Sequence, residues 1–254
     1  MGHGHVHALY RHEIGLLHGF APQVKLAAVL LFVVAVVATP REAFWAFGAH
    51  AALLAAITAA ARIPPRFVLR RLVIEVPFVL FAVFLPIVGR GDRVDVVGMS
   101  LSVEGLWAAW NIVAKATLGA WASIVLASTT QIPQLLKGLS RLRFPAVMTA
   151  IMGFMVRYLD VIVGEWNRMR VALRSRAYRP RSLRQAGVLA EASGTLFVRS
   201  YERGERVHLA MLSRGYTGTM PDIDEPAPAG RQWLGAALIV LVAGTIAALG
   251  WVTR

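Results

Sequence analysis

Two short phrases hold the residues best suited to recognition chemistry. The first reads Arg170-Val171-Ala172-Leu173-Arg174-Ser175-Arg176-Ala177-Tyr178 and the second Leu209-Ala210-Met211-Leu212-Ser213-Arg214-Gly215-Tyr216. Each sets one arginine between small residues, Ser175 and Ala177 around Arg176, Ser213 and Gly215 around Arg214. Small neighbours let another backbone come close, and a guanidinium offers five donors in a rigid fork that suits a carboxylate or carbonyls on a partner surface. Taken singly, Ser-Arg-Gly also describes a helix end with Gly215 as its left-handed cap. Two such phrases in one basic stretch point instead to a docking role for Arg176 and Arg214.

Other reactive constellations are sparse. The absence of cysteine excludes disulfides, thiolate metal sites and cysteine nucleophiles. No Gly-x-x-x-x-Gly-Lys-Ser/Thr string occurs, so any nucleotide must be held by a partner. His3, His5, His7, His12 and His18 fall in a glycine-containing amino-terminal segment. Imidazoles suit nickel, cobalt or zinc, which makes His3, His5 and His7 the metal candidates. The segment nevertheless reads as an unstructured, weakly chelating tail, and no metal site is assigned. Within the apolar runs His50, Glu75 and Lys115 stand out, because charge is costly at membrane depth. Glu75 lies about one turn from Arg71, and Lys115 sits mid-helix with contact to Asn111 or snorkelling as its two options, so these read as structural or subunit-contact positions.

Such residues must be carried by a membrane protein. The 254 residues are 57% hydrophobic yet bear a net charge of +13, so strongly apolar and strongly basic regions coexist. The arginines cluster beside apolar runs instead of alternating with exposed aromatics, which favours a lipid bilayer over nucleic acid as the partner. A bilayer core takes about 20 apolar residues per helix. That length predicts spans over Pro22 to Ala38, Ala43 to Ala61, Leu72 to Val88, Leu106 to Ser128 and Trp233 to Val252, the last with Trp233 and Trp251 as interfacial anchors. Pro64-Pro65 closes the second span. Between Arg62 and Arg71 there are four arginines and no acid, whereas Arg90 to Glu104 holds two arginines against Asp92, Asp95 and Glu104. The first loop is therefore expected inside and the second outside, with a cytoplasmic amino terminus.

Ala146 to Gly164 is apolar enough to suggest another span, but eleven arginines against three acids follow between Arg168 and Arg214. A crossing would put that charge outside, so an amphipathic helix at the cytoplasmic face is expected. Ile151, Phe154, Met155, Tyr158, Ile162, Trp166, Met169 and Leu173 recur at threes and fours along one face. A second helix, Ser182 to Leu212, offers Leu189, Ala192, Leu196, Val207 and Met211 as its apolar positions. The fold class is thus an all-α integral membrane protein with about five transmembrane helices plus long cytoplasmic amphipathic coupling helices. Its divisions are a cytoplasmic histidine-containing segment 1–21, a four-span bundle 22–130, a cytoplasmic coupling-helix module 131–231 and a C-terminal transmembrane helix 232–254.

Further phrases complete a pattern. Pro22-Gln23-Val24-Lys25-Leu26 opens the first span, and Ser128-Thr129-Thr130-Gln131-Ile132-Pro133-Gln134-Leu135-Leu136 then Arg143-Phe144-Pro145 precede the amphipathic helix. With the two arginine phrases, this order resembles the transmembrane (T) components of energy-coupling-factor importers, specifically the cobalt/nickel CbiQ-like branch. That family carries Ala-Arg-Gly-like signatures at the ends of its coupling helices, matched here by Ser175-Arg176-Ala177 and Ser213-Arg214-Gly215. The first departs in ending on Ala177. The resemblance implies a prokaryotic inner-membrane, multi-pass protein that is not itself an enzyme and holds no cofactor. Its implied partners are two cytoplasmic ABC ATPases, which would carry the Mg-ATP, and a membrane S component of the CbiM type. The implied cargo is cobalt or nickel. The alternative is a self-sufficient secondary transporter or channel, against which the lack of inverted repeats weighs.

Overall fold

The computed structural model describes residues 19–89, 92–96, 99–178, 186–218 and 228–253. Nearly every element is helical: α1 (Pro22–Ala38), α2 (Phe44–Ala60), α3 (Pro65–Leu72), a 3-10 turn at Val73–Glu75, α4 (Val76–Val88), α5 (Val103–Thr129), α6 (Ile132–Arg141), α7 (Ala146–Ser175), α8 (Ala186–Leu212) and α9 (Gly230–Val252). Between α4 and α5 a small antiparallel hairpin pairs β1 (Arg93–Val96) with β2 (Met99–Ser102), Arg93 opposite Ser102. The described residues form two compact units, 19–138 with 228–253, and 139–178 with 186–218.

Helix boundaries in the first unit follow local chemistry. Pro22 and Pro65 each start a helix, where a missing N–H costs nothing. The third span begins at Pro65 and not at Leu72. Arg66, Arg70 and Arg71 therefore lie in its first two turns instead of in a loop, with the Arg71 guanidinium 4.2 Å from the Phe67 ring centroid. Long arginine stems can lie along a helix while their heads reach water, so this end can still sit at the interface. Pro77, two residues after the 3-10 turn, lacks an N–H and crowds the carbonyl of Val73, which accounts for the tightened winding there. Ser102 caps α5, its hydroxyl accepting from the Gly105 N–H at 3.3 Å, with Glu104 in the first turn where a negative charge is favoured.

Pro65–Val88, Val103–Thr129, Ala146–Ser175 and Gly230–Val252 are long and apolar enough to cross a membrane. At 17 residues each, α1 and α2 are shorter apolar helices. At 1.5 Å per residue they reach about 26 Å, just under the thickness of a bilayer core. The apolar run at Ala146, expected to lie at the membrane surface, thus meets the length and composition of a span; what distinguishes it is the run of arginines toward its end. The chain is a multi-pass, all-α membrane protein.

Small residues set the packing. Ala35 of α1, Ala122 of α5, and Ala243 and Ala247 of α9 join Phe32, Val36, Phe47, Leu54 and Leu118 in the main buried cluster. Close approach through small side chains is the usual means of helix association where lipid removes any hydrophobic drive. Outward, α4 exposes Phe78, Leu80, Phe81, Val83 and Phe84, and α1 exposes Leu30, Leu31 and Val34, as lipid-facing surface requires. At one end of the bundle an aromatic group forms from Phe44, Trp107 and Trp110, with Phe44 centroids 5.5 and 5.1 Å from the two indoles. There Trp251 donates to the Ala38 carbonyl at 2.9 Å, consistent with an interfacial anchor.

The phrases that open α1 and close α5 meet. Lys25 is only 9% exposed, and its ammonium donates to the Thr129 carbonyl at 3.0 Å and to the Thr130 hydroxyl at 3.4 Å. In return, Lys115 of α5 donates to the Val37 carbonyl at the end of α1 at 2.7 Å. Each of these antiparallel helices is thereby closed at its C-terminal end by a lysine of the other. Gly138 of α6 rests on the start of α1, where a Cβ would lie 2.9 Å from the Gln23 nitrogen.

Two glycines of α5 separate these effects. A Cβ at Gly105 would sit 2.5 Å from the Leu85 carbonyl oxygen and 2.7 Å from the Pro86 Cα, whereas Gly119 has open space. Gly105→Ala is expected to destabilise the bundle by about 2 kcal/mol, and Gly119→Ala to be neutral or stabilising by up to about 1 kcal/mol. Unfolding in detergent, followed by tryptophan fluorescence, tests the pair.

Candidate functional site

Both arginine phrases end their helices in the same way. At the end of α7 the Ala177 N–H donates to the Arg174 carbonyl (3.0 Å) and the Tyr178 N–H to the Leu173 carbonyl (3.0 Å). At the end of α8 the Gly215 N–H donates to Leu212 (3.0 Å) and the Tyr216 N–H to Met211 (3.1 Å). Each is a Schellman closure, with a left-handed residue one place after the cap. That residue is Ala177 (φ 59°) in the first and Gly215 (φ 82°) in the second. The departure from glycine in the first phrase thus leaves the backbone geometry intact, at the modest energetic cost of placing a Cβ in the left-handed region.

The side chains follow suit. Ser175 Oγ donates to the Ala172 carbonyl at 2.9 Å and Ser213 Oγ to the Ala210 carbonyl at 3.0 Å, each three residues back. In both phrases the serine, the arginine and the left-handed residue are exposed, while the residue two before the serine and the tyrosine after the turn are half-buried: Leu173 with Tyr178, Met211 with Tyr216. These half-buried residues occupy the positions whose apolar contact accompanies such a closure. The outcome is an arginine held at the tip of a stiff helix with its apolar neighbours turned in. Neither Arg176 nor Arg214 makes an ion pair among the described residues.

The two helices are joined by a contact that no motif announces. In α7, a helix of 30 residues, the one buried residue is Glu165, 8% exposed. Its Oε1 is 3.4 Å from Arg199 Nη1 and its Oε2 is 3.5 Å from Arg203 Nη1, both on α8. The predicted apolar positions of α8, Leu189, Ala192, Leu196, Val207 and Met211, are all half-buried, and Ser200 and Arg203 fill the gap in the stripe. On α7 the predicted apolar face is only partly used: Phe154, Tyr158, Met169 and Leu173 are half-buried, but Ile151, Met155 and Ile162 remain exposed. Beside the ion pair, Phe154 and Tyr158, stacked at 6.3 Å, face Gly204, Val207, His208, Met211 and Tyr216 across a cleft of about 320 Å³. The signal in the sequence was Glu165 as one of only two acids, with Asp160, on a basic helix, and Arg199 and Arg203 one turn apart.

Glu75, Lys115 and His50, the three ionisable groups singled out in the spans, each reach a partner within the bundle. Glu75, expected beside Arg71, accepts from the Thr117 hydroxyl of α5 at 2.8 Å. Lys115, expected either to contact Asn111 or to snorkel, reaches the Val37 carbonyl. His50 is fully buried, with Nε2 3.2 Å from the Thr39 hydroxyl and the Phe32 ring edge-on at 5.6 Å. Because Thr39 already donates to the Ala35 carbonyl, His50 Nε2 serves as donor and Nδ1 is left without a partner. His3, His5, His7, His12 and His18 lie outside the described residues. Among the described residues no group of three or more metal-ligating side chains converges.

Comparison with known proteins gives a consistent picture. The family model described as CbiQ, cobalt transport protein, matches residues 15–223. An uncharacterised protein of Methanocaldococcus jannaschii is 25% identical over 227 residues, covering 84% of this chain and 76% of the relative. The cobalt transport protein CbiQ of Rhodobacter capsulatus is 28% identical over 202 residues, covering 78% of this chain and 79% of the relative.

The shared closure carries its own test. Ala177→Gly is expected to stabilise the end of α7 by about 1 kcal/mol, whereas Gly215→Val should cost the end of α8 about 2 kcal/mol by forcing a β-branched residue into the left-handed region. Hydrogen exchange of the Tyr178 and Tyr216 amides, which close the two turns, reads both changes directly.

Proposed function

This chain belongs to the CbiQ cobalt transport protein family, and from that membership we propose that it is the energy-coupling membrane subunit of an energy-coupling-factor importer. It carries no nucleotide site of its own. Mg-ATP is bound and hydrolysed on two cytoplasmic ATPase subunits, whose surfaces receive the Ser175-Arg176-Ala177 and Ser213-Arg214-Gly215 tips. A membrane S component of the CbiM type selects the cargo, cobalt or nickel. The amino terminus lies in the cytoplasm, and α7 and α8 belong to the cytoplasmic coupling module, at or partly in the membrane face. The protein resides in a prokaryotic inner membrane.

The observation that carries this reading is the pair of matched closures. Two helices of 30 and 27 residues each end on an exposed arginine that has no ion-pair partner within the described chain. A guanidinium in that state is available for a charge-assisted, forked hydrogen bond with a partner's carboxylate or carbonyls. A helix is stiff along its axis, so displacement of a tip is passed along its length. ATP-driven separation of the ATPases would therefore move the tips, and the helices would pass that motion to the membrane face where the S component sits. The secondary-transporter reading asks Glu75, Lys115 and His50 to line an ion path. Their engagement with Thr117, Val37 and Thr39 weighs against it.

The test is co-expression with candidate ATPase and S-component chains from the same source. Arg176→Glu and Arg214→Glu are each expected to weaken ATPase co-purification by about tenfold or more, as loss of an interfacial charge contact does. The double variant should insert normally but fail to support ATP-dependent uptake of radiolabelled cobalt(II). A double variant that transports like the parent would reduce the arginine phrases to ordinary helix ends and overturn the proposal. The purified chain alone is expected to hydrolyse no ATP.

A further inference from the structure

We propose that Glu165, held between Arg199 and Arg203, is the pivot about which α7 and α8 change their crossing, a positioning residue for both arginine tips. The inference rests on the coupling reading above and adds where the moving pair is hinged.

Three observations lead there. The first is the place of the contact. Glu165 is buried in the middle of α7's packed face, flanked by Phe154 and Tyr158 on one side and Met169 and Leu173 on the other, and Arg203 interrupts the apolar stripe of α8 in the same way. The contacts run in opposite directions along the two helices: Glu165 meets Arg199 and Arg203, while the earlier Phe154 and Tyr158 meet the later Gly204 to Met211. The helices are therefore antiparallel where they meet, and their C-terminal tips point away from the crossing on opposite sides.

The second is leverage. Arg176 lies eleven residues beyond Glu165, and Arg214 lies eleven residues beyond Arg203. Both arms are thus about 16 Å long at 1.5 Å per residue. Eleven residues make about three turns, so each terminal arginine returns to the helix face that carries the contact. A rotation at the crossing moves the two tips by equal amounts.

The third is the character of the contact. An immobile Arg–carboxylate pair is short and forked, with N–O distances of about 2.7–2.9 Å. Here each carboxylate oxygen meets a different guanidinium, at 3.4 and 3.5 Å, and Oε2 completes no hydrogen bond. Coulomb attraction falls slowly with distance and has little angular demand, so a carboxylate between two arginines one turn apart stays bound while the helices rotate. Interdigitated apolar side chains would resist the same rotation, because packed interfaces switch between discrete arrangements. The half-exposed Arg199 side chain keeps part of the contact in water, which softens it further.

A structural clamp and a pivot respond differently when the charges are replaced by apolar side chains of similar size, since such replacement tends to preserve or improve stability. The variant E165L,R199L,R203L is made in the complete complex with its ATPase and S-component chains. Spin labels at V171C and L209C, both exposed positions on the two arms, report the distance between them; this chain contributes no other cysteine, and the partners are used cysteine-free. In the parent complex ATP is expected to shift that distance. In the triple variant association with the ATPases and ATP hydrolysis should stay within about twofold of the parent, while the ATP-dependent shift is lost and cobalt(II) uptake per ATP falls about tenfold. A triple variant that shifts and transports like the parent makes the contact a mere clamp and overturns the pivot alone. A parent complex in which no ATPase associates overturns the coupling reading, and the pivot with it. If the triple variant fails to insert, the charge-reversed set E165R,R199E,R203E decides. It should restore uptake to within about threefold of the parent where E165R alone abolishes it, and absence of that restoration overturns the proposal.

Discussion

The bond from Lys25 to the end of α5 is the constraint on which the membrane unit depends. The last carbonyls of any helix lack intrahelical partners, and at membrane depth water is not available to satisfy them. Lys25 answers that need at Thr129 and Thr130, where the helix dipole also favours a positive charge. Lys115 does the same for the end of α1 at Val37. With both ends tied, the α1–α5 pair has a fixed register. Phe32 and Val36 of α1 can then pack against Leu118 and Ala122 of α5, and α9 closes over them through Ala243 and Ala247. The tie also fixes where α6 begins, and Gly138 lets that helix lie close against Pro22 and Gln23.

Elsewhere the same need is met by the backbone itself. The ends of α2, α6, α7 and α8 all turn back through a left-handed residue, Arg62, Arg143, Ala177 and Gly215 respectively, whose N–H and that of the next residue return to carbonyls of the last turn. Only one of these four is glycine. An ordinary L-residue is tolerated because two hydrogen bonds and an apolar contact offset its strain. The two solutions divide the labour of the molecule. Lysine ties lock helices together in the bundle, and left-handed closures finish helices at ends that present arginines.

Much of this was legible in the residues. Apolar length located the helices of the five expected spans to within a few residues except at the start of the third, where Pro65 initiates a helix that hydropathy alone begins at Leu72, while Ala146–Ser175, expected at the membrane surface, has the length and composition of a span. The period-three-and-four stripe of α8 picked out its inward positions, because a helix that packs along one face must repeat on that face. The contacts of Lys25, Lys115 and Glu75 were not readable, since each bridges residues that are distant in the chain and chosen by tertiary geometry. Glu165 was hidden for a related reason. A carboxylate on a basic helix reads as solvated unless its partners are known, and Arg199 and Arg203 looked like part of a general excess of positive charge.

One difference between the matched tips has its own consequence. Ala177 projects a methyl group from the left-handed position where Gly215 projects only hydrogen, although the backbones around them share one closure. A surface moulded tightly on the second tip would clash with the first, and one that accommodates the first would leave a void beside the second. Two identical receiving grooves therefore cannot be equally well filled. Any twofold-symmetric pair of subunits that engages both tips is rendered inequivalent by a single carbon atom, and the order in which the two tips engage or let go can be biased without any difference between the subunits themselves.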